Sequence, residues 1–148
     1  MLKLVVLGAG NHSRQYHLPA LARYVNDHPG EVELAALCDL DESLAATMAA
    51  QFGFKQIYTN LDEMLRVEKP DGCIAITPIS VMAEICARVV HAKIPLLMEK
   101  PPGATANEAR AIVDLVQKAD ARVMVSVNRR FDPACVSCWT GGRIVRLG

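Results

Sequence analysis

LKLVVLGAGNHSRQYHLPAL, residues Leu2 to Leu21, reads as a buried apolar strand that runs into a glycine turn, Gly8-Ala9-Gly10, and then into a helix. The first amides of such a helix are unpaired at its N-terminus, and with the helix dipole they suit a pyrophosphate. Gly8 permits the tight bend, and Gly10 leaves bare backbone for a phosphate to approach. The third glycine of the usual fingerprint is replaced by Ser13, which loosens helix-to-strand packing slightly and removes no amide. The helix starts near Asn11 to Ser13 and meets Pro19 well inside it. An interior proline costs ~3 kcal/mol unless the helix bends, so a bend is expected there.

A glycine pair alone also fits an ordinary strand-to-helix connection, so the remaining chain must supply the context. Val32 to Cys38 is a second apolar strand, ending on Asp39. Asp41 is placed to cap a helix through Phe52, with Gly53 as its stop. Gln56 to Tyr58 is a short strand, and Asn60 with Glu63 has capping-box spacing for a helix over Leu61 to Arg66. Cys73 to Ile76 is short and apolar enough for a central parallel strand. A helix over Ser80 to His91, a strand over Ile94 to Met98, a helix opened by the Thr105 and Glu108 box, and a strand over Arg122 to Val127 complete the series. Six strands alternating with five crossovers predict an α/β fold with a doubly wound, six-stranded parallel sheet over residues 1–127. Residues 128–148 form a charged link and a short tail with too few residues for a core, the remnant of a second domain that is essentially absent. Trp139 and Arg143 to Arg146 are read there as a frayed edge strand.

Lysines and arginines balance aspartates and glutamates to a formal net charge of zero over 148 residues. That balance gives no reason to expect nucleic acid or an anionic membrane as a partner. No apolar run approaches the roughly 18 residues that span a bilayer, and the opening residues lack the pattern of a secretory leader, so a cytoplasmic protein is expected. Cys38, Cys73 and Cys86 lie in apolar segments, where a thiol acts as a small hydrophobe. Cys135 and Cys138 form a lone CxxC without a second pair or a nearby histidine, which points away from zinc or redox work. His12, His17, His28 and His91 have no ligand spacing in the sequence, so no metal site is predicted.

Two residues after strand ends carry candidate chemistry. Asp39 stands where the acidic residue of dinucleotide folds bonds the adenosine ribose, and a carboxylate there repels a 2′-phosphate, favouring NAD over NADP. Asp39 also fits a helix cap, a role that Asp41 stands ready to fill. Glu99-Lys100-Pro101 lies at the carboxyl end of the fifth strand, the edge at which open sheets bind ligands. Lys100 fits either an acid–base group beside a hydride transfer or a solvated lysine before a proline turn.

Gly8-Ala9-Gly10, His17-Leu18-Pro19-Ala20-Leu21, Asp39, Thr77-Pro78, Glu99-Lys100-Pro101 and Asn128-Arg129-Arg130-Phe131 together resemble the N-terminal, Rossmann-fold domain of the glucose-fructose oxidoreductase and inositol dehydrogenase family. The resemblance spans Leu2 to about Pro133. It implies an NAD(P)-dependent dehydrogenase transferring a hydride between nicotinamide and a sugar, cyclitol or related polyol. By the same resemblance Gly8, Gly10, Asn11 and His12 lie at the pyrophosphate, Asp39 at the adenosine ribose, and Thr77, Pro78 and Glu99 around the nicotinamide ribose. Lys100 faces the reacting carbon, before a cis Lys100-Pro101 bond.

The sequence departs from the family's pattern in two places. Ile79 and Met82 stand where a TPNxxH-like pattern carries asparagine and histidine. The family's second domain, which carries the substrate pocket and an Asp-x-x-x-His pair, has no counterpart here, so a polyol would be bound only if that domain were supplied. The alternative is a noncatalytic nucleotide-binding or sensing module, one that pairs with a second copy through the apolar surface the missing domain would cover.

Overall fold

Apolar strands and capped helices alternate throughout the computed structural model, which describes residues 1–132. The strands are β1 (Leu2–Leu7), β2 (Val32–Cys38), β3 (Gln56–Tyr58), β4 (Gly72–Ala75), β5 (Leu96–Met98) and β6 (Val123–Val125). The α-helices are α1 (Leu18–Asp27), α2 (Glu42–Phe52), α3 (Leu61–Glu68), α4 (Ile79–His91) and α5 (Ala106–Lys118). The sheet order is β3-β2-β1-β4-β5-β6, and every pairing is parallel. The predicted fold class is therefore the one observed. The fourth strand is as long as its apolar run but begins one residue earlier, and the fifth and sixth are shorter than the runs that announced them. The Cys135 and Cys138 pair and the strand expected near Trp139 lie outside the described residues.

The helices begin where side-chain caps allow. Asp41 accepts from the Leu44 amide, Asn60 from Glu63 and Thr105 from Glu108, each satisfying an amide that the helix itself leaves unpaired. Helices α1 and α2 cover one face of the sheet around Val6, Leu34, Leu37 and Ile74. Helices α3, α4 and α5 cover the other around Val5, Ala75, Met82, Val89 and Met98. Val5, Val6, Leu18, Leu37 and Met98 are fully buried, each side chain contributing about 1.5–3 kcal/mol of burial free energy.

The bend expected near Pro19 takes a specific form. Residues Ser13–His17 make a π turn, closed by the Leu18 amide on the Ser13 carbonyl, and α1 starts after it with Pro19 in its first turn. Proline has no amide proton and its ring presses on the carbonyl four residues back, here Gln15. A widened turn places the proline at a helix start, where it is tolerated.

Register fixes the working edge. Leu7 is level with Cys38 and with Ala75, and Ala75 with Met98. The next residues, Gly8, Asp39, Ile76 and Glu99, therefore emerge side by side at the carboxyl edge. Strand order reverses between β1 and β4, the switch point at which such sheets open a crevice.

Candidate functional site at the carboxyl edge of the sheet

Gly8 is clamped from both sides. Its amide donates to the Cys38 carbonyl at 2.8 Å, and the neighbouring Ile76 amide donates to Leu7 at 2.8 Å. It adopts φ +101°, and a Cβ there would overlap the Ile76 carbonyl, so glycine is required for sterics as well as for conformation. Gly10 differs: a Cβ there meets nothing within 4 Å. Its missing side chain keeps a space open within the crevice. The first bond of the following helix runs from the Arg14 amide to the Gly10 carbonyl at 3.0 Å, which leaves the amides before Arg14 outside the helical ladder.

Ser13 corrects the expectation of looser packing. It is fully buried, and its hydroxyl donates to the Gly8 carbonyl at 2.5 Å. The residue in the third fingerprint position thus ties the helix to the turn.

Asp39 and Asp41 divide the two roles that the sequence left open. Asp41 caps α2. Asp39 accepts from the Ala9 amide at 2.7 Å and from the Asp41 amide at 3.0 Å, and it stays half-exposed at the crevice. Each carboxylate oxygen has a second lone pair for a further donor.

The crevice has two connected parts. One, of about 580 Å³, includes Gly8, Gly10, Asp39, Leu40, Thr77 and Pro78 in its lining. The other, of about 310 Å³, runs past Gly10, Asn11, His12, Thr77, Pro78, Glu99 and Lys100. Every site residue expected from the sequence lines one part or both. Leu40, 91% exposed at the mouth, was not singled out by sequence reasoning; an apolar residue directly after the strand-end acid was the available signal. Burial first, and then the Asp39 charge, push the Cys38 thiol up to about 11 against a smaller opposing pull from Arg88. Cys38 is wall rather than nucleophile. Arg88 also lines the larger part, where Asp62 holds it at 2.9 Å.

Glu99 is 7% exposed. One of its oxygens meets His17 Nε2 at 2.7 Å and His12 Nε2 at 3.4 Å, while the other accepts from the Lys100 amide at 3.1 Å. Burial pushes this carboxyl up, but the His17 hydrogen bond, the Lys100 amide and the two histidines' charge outweigh it, and the net shift is downward. His12 and His17, which have no ligand spacing in the sequence, converge with Glu99 in the fold. Five residues along a regular α-helix rotate a side chain about 140° out of line. The wider π turn brings the His17 ring back to 5.4 Å from that of His12. Met82, in place of the family's histidine, is 1% exposed with its sulfur 3.7 Å from the Thr77 hydroxyl, so that position offers the crevice no ring nitrogen. The Lys100-Pro101 bond is cis, as the resemblance implied.

Residues 2–127 match the Gfo/Idh/MocA oxidoreductase family, NAD-binding Rossmann fold. The chain belongs to this family. Among curated relatives of this family member, the rhizopine catabolism protein MocA of Rhizobium meliloti is 30% identical over 88% of the chain and 39% of its own length. D-apiose dehydrogenase of Paraburkholderia graminis is 30% identical over 99% and 36%, and inositol 2-dehydrogenase of Corynebacterium glutamicum 26% over 89% and 38%. The chain thus spans well under half the length of these relatives. In fold, it superimposes on the Lactobacillus casei scyllo-inositol dehydrogenase with bound NAD(H) and scyllo-inositol at a TM-score of 0.76, with 15% identity over 90% of this chain and 38% of that one. No helix among the described residues is long and apolar enough to cross a membrane.

Proposed function

We propose that this chain binds NAD in the crevice between β1 and β4 and forms the cofactor half of an oxidoreductase acting on a hydroxyl-bearing carbon of a sugar, cyclitol or related polyol. The observation that carries the reading is the alignment of the bare Gly10 space with the half-exposed Asp39 carboxylate along one crevice at the switch point. The donor set fits the group: unpaired helix-start amides and Asn11 and His12 for the pyrophosphate, and an acceptor with spare lone pairs for two ribose hydroxyls. NAD is favoured over NADP for two reasons. Asp39 is anionic, and Arg88 is already paired with Asp62, so it is a poor partner for a 2′-phosphate.

When bound, the dinucleotide supplies the hydride acceptor or donor. The chain's own residues do the rest. Thr77, Pro78 and Glu99 shape the nicotinamide end, with Glu99 fixing the Lys100 backbone through its amide. Lys100, exposed at the rim, holds the substrate oxygen and moves its proton.

Thermal unfolding with NAD, with NADP and without either tests the binding. A ligand at about a hundred times its Kd adds about 2.7 kcal/mol of stability, so NAD raises the midpoint and NADP raises it less. Indifference to both sinks the proposal. With a substrate-binding domain of the family supplied, formation of reduced nicotinamide from a polyol panel, abolished by Lys100→Met while the NAD-induced shift persists, tests the proposed reaction.

A further inference from the structure

We propose that His12, His17 and Glu99 form a binding site for one divalent transition-metal ion of the zinc class. Their three donor atoms lie within 4.8 Å of one another. The Glu99 oxygen is 3.4 Å from His12 Nε2 and 2.7 Å from His17 Nε2. A tetrahedral ion with bonds of about 2.0–2.1 Å needs donors about 3.3 Å apart. The first separation already suits the ion, the second requires His17 and Glu99 to part by about half an ångström, and the two histidine donors, within 4.8 Å of each other, must draw together.

Charge points the same way. A buried carboxylate ordinarily has a cationic partner. Among the described residues Glu99 has no lysine or arginine ion pair; its partners are the two imidazoles and an amide. With both rings neutral the cluster carries one negative charge and three ligands, the two-histidine, one-carboxylate set that leaves a coordination position open. The open side is the smaller part of the crevice, which His12 and Glu99 both line. The Lys100 amide on the second Glu99 oxygen orients the carboxylate as an outer-sphere partner would. His12 and Glu99 are shared with the proposed dinucleotide site, so the metal site is read in the absence of the dinucleotide.

The test is a cobalt(II) titration of metal-free protein at about pH 8, where imidazole is neutral, in a chain carrying Cys135→Ser and Cys138→Ser so that those thiolates contribute nothing. One equivalent is expected to bind, with a visible d–d band, no sulfur charge-transfer band, and displacement by zinc. His12→Ala and His17→Ala are each expected to weaken binding by about 100-fold, the upper end of what losing even an outer-sphere partner costs. His12 is 45% exposed, so its variant is expected to fold, which circular dichroism without metal verifies. Absence of saturable binding, or binding unchanged in a folded His12→Ala variant, overturns the site. The cobalt band is read without NAD, so failure of the cofactor reading leaves this readout standing.

Discussion

The Asp39 carboxylate accepts a hydrogen bond from the Ala9 amide at 2.7 Å, so the acid that ends β2 holds the glycine turn that ends β1. Binding and architecture share one side chain. Asp39→Ala is expected to destabilise the fold by about 1.5–3 kcal/mol, the range for a hydrogen bond to a charged group. Asp39→Asn keeps one acceptor and removes the charge. Its expected effect is a fall of about tenfold in the preference for NAD over NADP, equivalent to about 1.4 kcal/mol of lost repulsion. Urea unfolding measures the first effect and isothermal titration with both dinucleotides the second. An unchanged NAD/NADP ratio in Asp39→Asn would argue against the ribose role.

The two turn glycines separate fold from binding. Gly8→Ala puts a methyl onto the Ile76 carbonyl at a positive φ, and strain plus overlap is expected to cost about 3 kcal/mol or more. Gly10→Ala meets open space and should change stability by less than about 1 kcal/mol. Its methyl occupies the crevice, however, so NAD-induced stabilisation should fall sharply. Paired melts with and without NAD check both, and a Gly10→Ala protein that responds normally to NAD would show that the pyrophosphate lies elsewhere.

Much of this site was legible because its residues follow the ends of apolar strands. Gly8, Asp39 and Glu99 each come one step past a run that could only be a buried strand, and parallel register then sets them side by side. The capping residues Asp41, Asn60 and Thr105 were readable for a similar local reason. The histidine cluster was not. His12 and His17 are five apart, a spacing that regular helical geometry keeps on different faces, and Pro19 signalled a bend without saying that the turn would widen. Glu99 joins them from 82 residues away. Ser13 departs from the expected looser packing because its hydroxyl makes a bond that the fingerprint glycine lacks.

Acid should weaken the start of α2 in a way that can be isolated. Hydrogen bonds from the Ser43 hydroxyl and the Leu44 amide hold the Asp41 carboxyl below its ordinary 3.8. A depressed folded-state pKa stabilises the native state fully above the unfolded value, and that contribution is lost as the pH falls through the folded value. Asparagine caps a helix about as well as aspartate and does not titrate. The urea midpoint of the parent relative to Asp41→Asn should therefore be constant well above the ordinary carboxyl value of 3.8 and decline as the pH falls below it. A flat difference across that window would mean that the cap bonds do not favour the ionised form.

Restoring the usual fingerprint at Ser13 should harm this protein. Ser13→Gly removes the buried donor that serves the Gly8 carbonyl, and an unsatisfied buried group costs about 1–3 kcal/mol. It also introduces glycine into a helical turn, at about 0.5–1 kcal/mol. Ser13→Ala incurs the first cost and not the second. The expected order of stability is parent, then Ser13→Ala, then Ser13→Gly, measured by chemical denaturation. Because the Gly8 carbonyl orients the turn, both variants should also bind NAD more weakly than their stability loss alone accounts for. A Ser13→Gly chain as stable as the parent would show that close backbone packing, rather than the hydroxyl, sets the helix against the sheet.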